Sequence, residues 1–208
     1  MSVEPSQFIL RATLTSPFGR KVRMAADVLG LAERVMVQNV DIFDENDTIR
    51  QQNPLGKTPC LILEDGSSIF DSSVIVEFLQ DVAGSAQLLP LHGLARFSML
   101  TLTRLADGIV DAGALVIFEK RYHEREYASR PWIDHQRGKM RRALAAFEAA
   151  PPDPAKTDAV TIALSCALGF LDKRKPLDWR PICPNLVAWL AEFASNEPAF
   201  ERTKPPEA

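Results

Sequence analysis

The sequence predicts a two-part fold: a small α/β module of order βαβ–ββα, followed by a region built only of helices. Short apolar runs with strand character alternate with helical patterns up to about residue 82. After residue 93 the strand signals stop. Between the two parts, residues 83–93 carry Gly84, Leu88-Leu89-Pro90 and Gly93 without any period, and they read as a linker. With 208 residues, 46% of them hydrophobic and 25% charged, the chain can bury real cores without disulfides or metals.

Each element has its own signal. The run 8–13 is a first strand. Ser16 and Pro17 then stand as N-cap and first helical residue. Val22, Ala25, Ala26 and Leu29 recur at helical spacing and Gly30 supplies the stop, so the helix spans 17–29. A second strand covers 34–40. Residues 41–53 are polar and weakly patterned, a loop or a short helix. The runs 60–63 and 68–70 flank Asp65-Gly66, which predicts a hairpin with a tight turn. Asp71-Ser72-Ser73 caps a helix through Val74, Ile75, Phe78 and Leu79. In the second part, helices are expected over 96–122, 131–149, 158–173 and 184–195, with Pro151-Pro152-Asp153-Pro154 as the sharpest break.

Composition excludes several classes of function. The net charge is −3, and residues 1–82 hold 7 Lys and Arg against 12 Asp and Glu. An acidic front half argues against nucleic acid, which needs a basic stripe. The basic run Lys173-Arg174-Lys175 fits a helix C-terminus, where cations complement the dipole. Cys60, Cys166 and Cys183 form no C-x-x-C pair, and His92, His123 and His135 show no ligand spacing with them, so no metal site is expected. The sparse thiols suit a reducing compartment, and Cys60, after Pro59 on an apolar strand, is expected to be buried and structural, with a redox nucleophile as the alternative. There is no leader pattern and no apolar run of membrane-spanning length, which points to a cytoplasmic protein without membrane contact.

Three short fragments can carry chemistry. Ser16-Pro17-Phe18 puts a hydroxyl where a helix begins, with its free N–H groups and partial positive charge. Such a place stabilises an anion and lowers a thiol's pKa, although a plain N-cap explains Ser16 equally well. Lys57-Thr58-Pro59 follows Asn53-Pro54-Leu55-Gly56. A cis proline there would leave the Thr58 N–H and C=O open to a peptide-like ligand; the alternative is an ordinary trans proline opening an edge strand. Asp71 and Ser72, at another helix start, offer a carboxylate for an ammonium and hydroxyl and N–H groups for a carboxylate, or simply a cap.

In this order and spacing, the fragments resemble the cytosolic glutathione transferase superfamily over nearly the whole chain. The strongest stretch runs from Asn53-Pro54-Leu55-Gly56-Lys57-Thr58-Pro59 to Asp71-Ser72-Ser73. Ala106-Asp107-Gly108-Ile109-Val110-Asp111 and Ala163-Leu164-Ser165-Cys166-Ala167-Leu168-Gly169 also fit. Ser16-Pro17-Phe18-Gly19-Arg20-Lys21-Val22-Arg23 looks like bacterial members with serine at the active position. The resemblance implies a thioredoxin-like domain over 1–82 and an all-helical domain over 94–208. It implies glutathione as cosubstrate, with Ser16 on the sulfur and Thr58, before a cis Pro59, on the cysteinyl backbone. Asp71 and Ser72 then hold the γ-glutamyl end and Lys57 approaches the glycine carboxylate. Phe18, Asp107, Val110 and Ala114 would border the electrophile pocket. A homodimer is implied, with Asp111 reaching the partner's glutathione; for the Asp107 and Asp111 pair, plain solvent exposure is the alternative.

Two departures bear on function. A family capping box on the sixth helix usually reads Ser/Thr-x-x-Asp, whereas Asp158-Ala159-Val160-Thr161 exchanges the two types; a carboxylate caps as well as a hydroxyl. Ser16 argues against the disulfide reduction that cysteine members carry out. Conjugation of glutathione to a small apolar electrophile, with peroxide reduction as a companion activity, stands against a non-catalytic binding or assembly module. A glutathione-dependent isomerase is a third reading, although its usual Ser-Ser-Cys signature is here Thr15-Ser16-Pro17.

Overall fold

The structure is a computed structural model and describes residues 7–124 and 126–206. The chain divides into two compact units. One ends at Leu91 and takes in the chain again from Ala199; the other is His92–Pro198. The sequence places 94–208 in a single helical domain, whereas by contacts the chain from Ala199 onward groups with the α/β unit. Residues 1–6 and 207–208, the outer ends of the expected domains, lie outside the described residues.

The α/β unit holds a four-stranded sheet of order β2-β1-β3-β4. β1 (Phe8–Arg11) runs parallel to β2 (Val35–Gln38) and antiparallel to β3 (Cys60–Ile62), which pairs antiparallel with β4 (Ser68–Phe70). α1 (Pro17–Val28) makes the crossover between β1 and β2, α2 (Ile49–Gln52) precedes β3, and α3 (Ser72–Val82) follows β4. Leu10 and Leu61 on the sheet, Val22, Met24 and Ala25 on α1, and Ile75 and Leu79 on α3 are wholly buried. This is the thioredoxin-like arrangement that the order of elements implies. The polar stretch 41–53 resolves into a loop ending in the single turn of α2. The hairpin loop is one residue longer than a two-residue turn: the Leu63 amide donates to Ser67 O and the Gly66 amide to Leu63 O. Gly66, at φ 83°, takes the left-handed position such a loop requires.

The other unit is helical: α4 (Leu94–Tyr122), α5 (Arg130–Ala149), α6 (Ala159–Arg174) and α7 (Pro184–Asn196). α5 and α6 both pack on α4. α6 is its centre, with Ala159 to Leu168 buried without a break, which is why that stretch shows no amphipathic period. The exchanged capping box works as expected. Asp158 Oδ1 accepts from the Val160 and Thr161 amides at 2.8 and 3.0 Å, and Thr161 Oγ1 accepts from the Asp158 amide at 2.9 Å. Lys173 and Arg174 close the last turn of α6, where cations belong. A further short helix, α8 (Pro198–Arg202), which falls with the α/β unit from Ala199 onward, has no counterpart in the sequence reading. Among the described residues, no helix is long and apolar enough to cross a membrane.

Candidate active site

The register of the sheet assembles the site. Arg11 stands opposite Cys60, and Cys60 opposite Phe70. The C-terminal end of β1, the start of β3 and the C-terminal end of β4 therefore lie abreast. The chain leaves β1 toward Ser16, enters β3 through Thr58 and Pro59, and leaves β4 into Asp71 and Ser72. Three fragments separated by up to 55 residues in sequence are thus brought to one edge of one sheet.

At the first corner, Ser16 is the N-cap of α1, and its Oγ accepts from the Gly19 amide at 3.1 Å. This cap uses an oxygen lone pair and leaves the hydroxyl proton available to donate. Capping and sulfur binding are therefore compatible roles of one side chain. Phe18 is half-buried one residue into the helix. Lys21, 2% exposed, donates from Nζ to Ser73 Oγ at 3.1 Å and lies 5.7 Å from the centre of the Phe18 ring. This buried ammonium ties the start of α1 to the start of α3.

At the second corner, the Thr58–Pro59 peptide bond is cis. Among the described residues, the Thr58 amide and carbonyl have no hydrogen-bond partner. The loop before it is shaped by Asn53, which is buried. Asn53 Nδ2 donates to Lys57 O at 2.8 Å, while its Oδ1 and O accept from the Leu55 and Gly56 amides. The Lys57 side chain is exposed.

At the third corner, Asp71 accepts from the Ser73 amide at 2.8 Å and caps α3. Its backbone sits at φ 58°, ψ 134°, a region that residues other than glycine rarely enter. Ser72 is the first residue of the helix and is buried.

Sequence reasoning misses Lys21, Asn53 and Arg11. Charged residues read as solvated, and Asn53 carries only the signal of an Asn-Pro turn. Arg11 is 5% exposed and donates to Asp47 at 2.8 Å, Thr48 at 2.9 Å and Gln52 at 2.7 Å, pinning the loop that leads into Asn53. Cys60 is fully buried and burial pushes its thiol up, so it has the environment of a structural cysteine. Asp107, Val110, Ala114 and Asp111 all lie on α4, in the helical unit. Asp107 is buried and accepts from Arg104 Nη1 at 3.2 Å, whereas Asp111 is exposed, so the two acids do not share one environment.

Residues 10–86 match the family model of the glutathione S-transferase N-terminal domain. The uncharacterized GST-like protein YibF of Escherichia coli K12 is 34% identical over 204 residues, which cover 96% of this chain and 99% of that protein. A glutathione transferase family member from Pseudomonas fluorescens Pf-5, solved with bound glutathione, superposes with a TM-score of 0.89 at 38% identity, over 97% of this chain and all of that one. A glutathione S-transferase from Methylobacterium radiotolerans, in complex with glutathione sulfonate, gives 0.86 at 30% identity over 97% of this chain and 96% of that one. The chain belongs to the glutathione S-transferase family.

Proposed function

We propose that the protein is a serine-type glutathione transferase whose α/β unit binds glutathione along the edge where the three corners meet. The observation that carries this reading is the register Arg11–Cys60–Phe70, which sets a hydroxyl at one helix start, an open peptide group and an acid-plus-hydroxyl helix start side by side. Each corner suits one part of a γ-glutamyl-cysteinyl-glycine tripeptide. Asp71 accepts from the γ-glutamyl ammonium, and Ser72 with the α3 start receives its carboxylate. Thr58 exchanges two hydrogen bonds with the cysteinyl backbone, in the manner of an added strand. Lys57 meets the glycine carboxylate.

Ser16 then donates its hydroxyl proton to the sulfur, and the start of α1 favours the negative form. The thiol proton passes to solvent. The thiolate attacks an electrophilic carbon, an S–C bond forms, and the leaving group departs with the electron pair of the broken bond. The electrophile lies by Phe18. The working form is a homodimer in the reducing cell interior. Exposed Leu55, Phe70 and Val74 on the α/β unit, and Leu94 and Phe97 on α4, supply apolar surface for that contact, and Asp111 reaches the second copy's glutathione.

The first test is a titration with glutathione. At about 100 times Kd the ligand adds roughly 2.7 kcal/mol, which for a chain of this size raises Tm by about 5–10 °C. No movement at millimolar glutathione overturns the binding reading. Ser16→Ala should slow conjugation of an activated aryl halide by a factor equivalent to about 2–4 kcal/mol. Ser16→Asp keeps the cap but sets a carboxylate against the thiolate, so it should be slow while remaining as stable as the parent. Full turnover in Ser16→Ala with loss in Thr15→Ala would move the role to Thr15.

A further inference from the structure

The segment after Pro198 is not a loose end. Ala199 is fully buried and Thr203 nearly so. Three α1 residues on one face, at i, i+3 and i+7, hold it. Arg20, itself 4% exposed, donates from Nη2 to Phe200 O at 2.6 Å and from Nε to Thr203 Oγ1 at 3.4 Å, with its guanidinium 4.1 Å from the centre of the Phe200 ring. Arg23 Nη2 donates to Thr203 O at 2.8 Å, and the same nitrogen lies 3.5 Å from Leu14 O. Asp27 accepts a two-pronged pair from Arg202, with both distances 2.8 Å.

These contacts end at the turn that presents Ser16. Leu14 is two residues before it. The Arg20 amide donates to Ser16 O at 2.9 Å, closing the first turn on the residue whose hydroxyl takes up the Gly19 amide. An arginine almost wholly removed from water, meeting a carbonyl and a ring contributed by the far end of the chain, fixes where that turn sits. Without the segment, Arg20 would lose Phe200 O and Thr203 Oγ1, and Arg23 would lose Thr203 O.

We infer that the chain from Ala199 to Lys204 is a brace for the Ser16 turn, with Arg20 and Arg23 as positioning residues that set how firmly the hydroxyl is aimed. The inference rests on the proposed thiol chemistry only for what the turn does, not for the brace itself.

The test uses the full chain with Arg23→Gln, Asp27→Arg, and Asp27→Arg combined with Arg202→Asp. Amide hydrogen exchange of residues 13–20, without ligand, reads the brace. The pH titration of the thiolate absorbance of bound glutathione reads its effect on the sulfur. In Arg23→Gln and Asp27→Arg the Gly19 and Arg20 amides should exchange about tenfold faster. The thiol should titrate at higher pH, with the affinity for S-methylglutathione changed less than twofold. The charge-swapped pair should restore both. Should Arg23→Gln not fold, Arg202→Ala at the exposed end of the brace carries the same exchange measurement. Unchanged exchange in the single variants overturns the brace, as does a double variant that restores nothing. Faster exchange with an unmoved thiol titration reduces the segment to packing and overturns the positioning role. Failure of the parent to bind glutathione defeats the transferase reading instead, and the exchange result still decides the brace.

Discussion

Asp47→Asn tests the clasp that holds the Asn53 loop to the sheet. Asp47 receives the Ile49 amide at 2.8 Å, the Asp41 amide at 3.1 Å and Arg11 Nη2 at 2.8 Å. The Ile49 N–H is the largest influence holding its carboxyl below the usual range; burial opposes it, and the Asp41 N–H and Arg11 add to it. The two side chains are 6% and 12% exposed, so breaking the pair strands a cation largely removed from water. Stranding a buried charge costs about 3–5 kcal/mol. Arg11 keeps Thr48 and Gln52 here, and asparagine still accepts from Ile49, so the expected loss is nearer 2 kcal/mol. For a chain of this size that is a Tm lower by about 4–8 °C.

The sign with pH follows from the depressed pKa. The stabilisation is complete above the unfolded-state value of 3.8 and is lost as pH falls through the still lower folded value. Urea unfolding of parent and variant at pH 7 and at about pH 3 measures it, and the gap should narrow in acid. A difference under about 0.5 kcal/mol at neutral pH, the size of an ordinary surface change, refutes the clasp. A gap that stays undiminished well below the folded pKa refutes its electrostatic origin.

Two further predictions concern backbone positions. A Cβ at Gly113 would stand 2.6 Å from Phe170 Cε1 and 3.2 Å from Pro176 Cγ, whereas one at Gly108, a turn and a half earlier on α4, meets nothing within 4 Å. Gly113→Ala should therefore destabilise by about 1 kcal/mol net of its helix propensity, and Gly108→Ala should stabilise by about 0.5–1 kcal/mol; equal effects in thermal unfolding would show that packing at Gly113 does not matter. Asp71→Gly should leave stability within about 1 kcal/mol of the parent while weakening glutathione binding at least tenfold by calorimetry.

What could be read in the sequence was local. Ser16, Asp71 and Asp158 signal their helices because a cap acts on amides two or three residues away. The hairpin announces itself through Gly66 for the same reason. The misses have distant partners. Arg11 finds Asp47, Thr48 and Gln52 across 36 to 41 residues, and Arg20 finds Phe200 across 180, so neither leaves a pattern in its own neighbourhood. α8 is too short for a period and is held by arginines that read as solvated. The spacing of Asp107 and Asp111 was visible, but which of them is buried depends on what packs against α4. The gathering of the three corners was legible only through the family resemblance, because sheet register is a relation between strands and no single strand encodes it.

Asp71 shows why stability alone does not account for the site. Its positive φ costs a non-glycine residue of order 1–3 kcal/mol. Glycine would remove that cost, and although it would also remove the carboxylate that takes up the Ser73 amide at 2.8 Å, glycine in place of a capping acid costs only a few tenths of a kcal/mol. The relief is at least as large as the loss, so folding gives no reason to prefer the acid over glycine. The carboxylate is also exposed at the start of α3, beside Ser72, at the edge where Thr58 presents its open peptide group. An exposed acid there suits an ammonium, and the left-handed backbone turns the chain sharply enough to set that acid and the helix start against the same ligand. If Asp71→Gly instead bound glutathione as tightly as the parent, the acid would be a cap and nothing more, and the γ-glutamyl end would have to be held by Ser72 and the helix start alone.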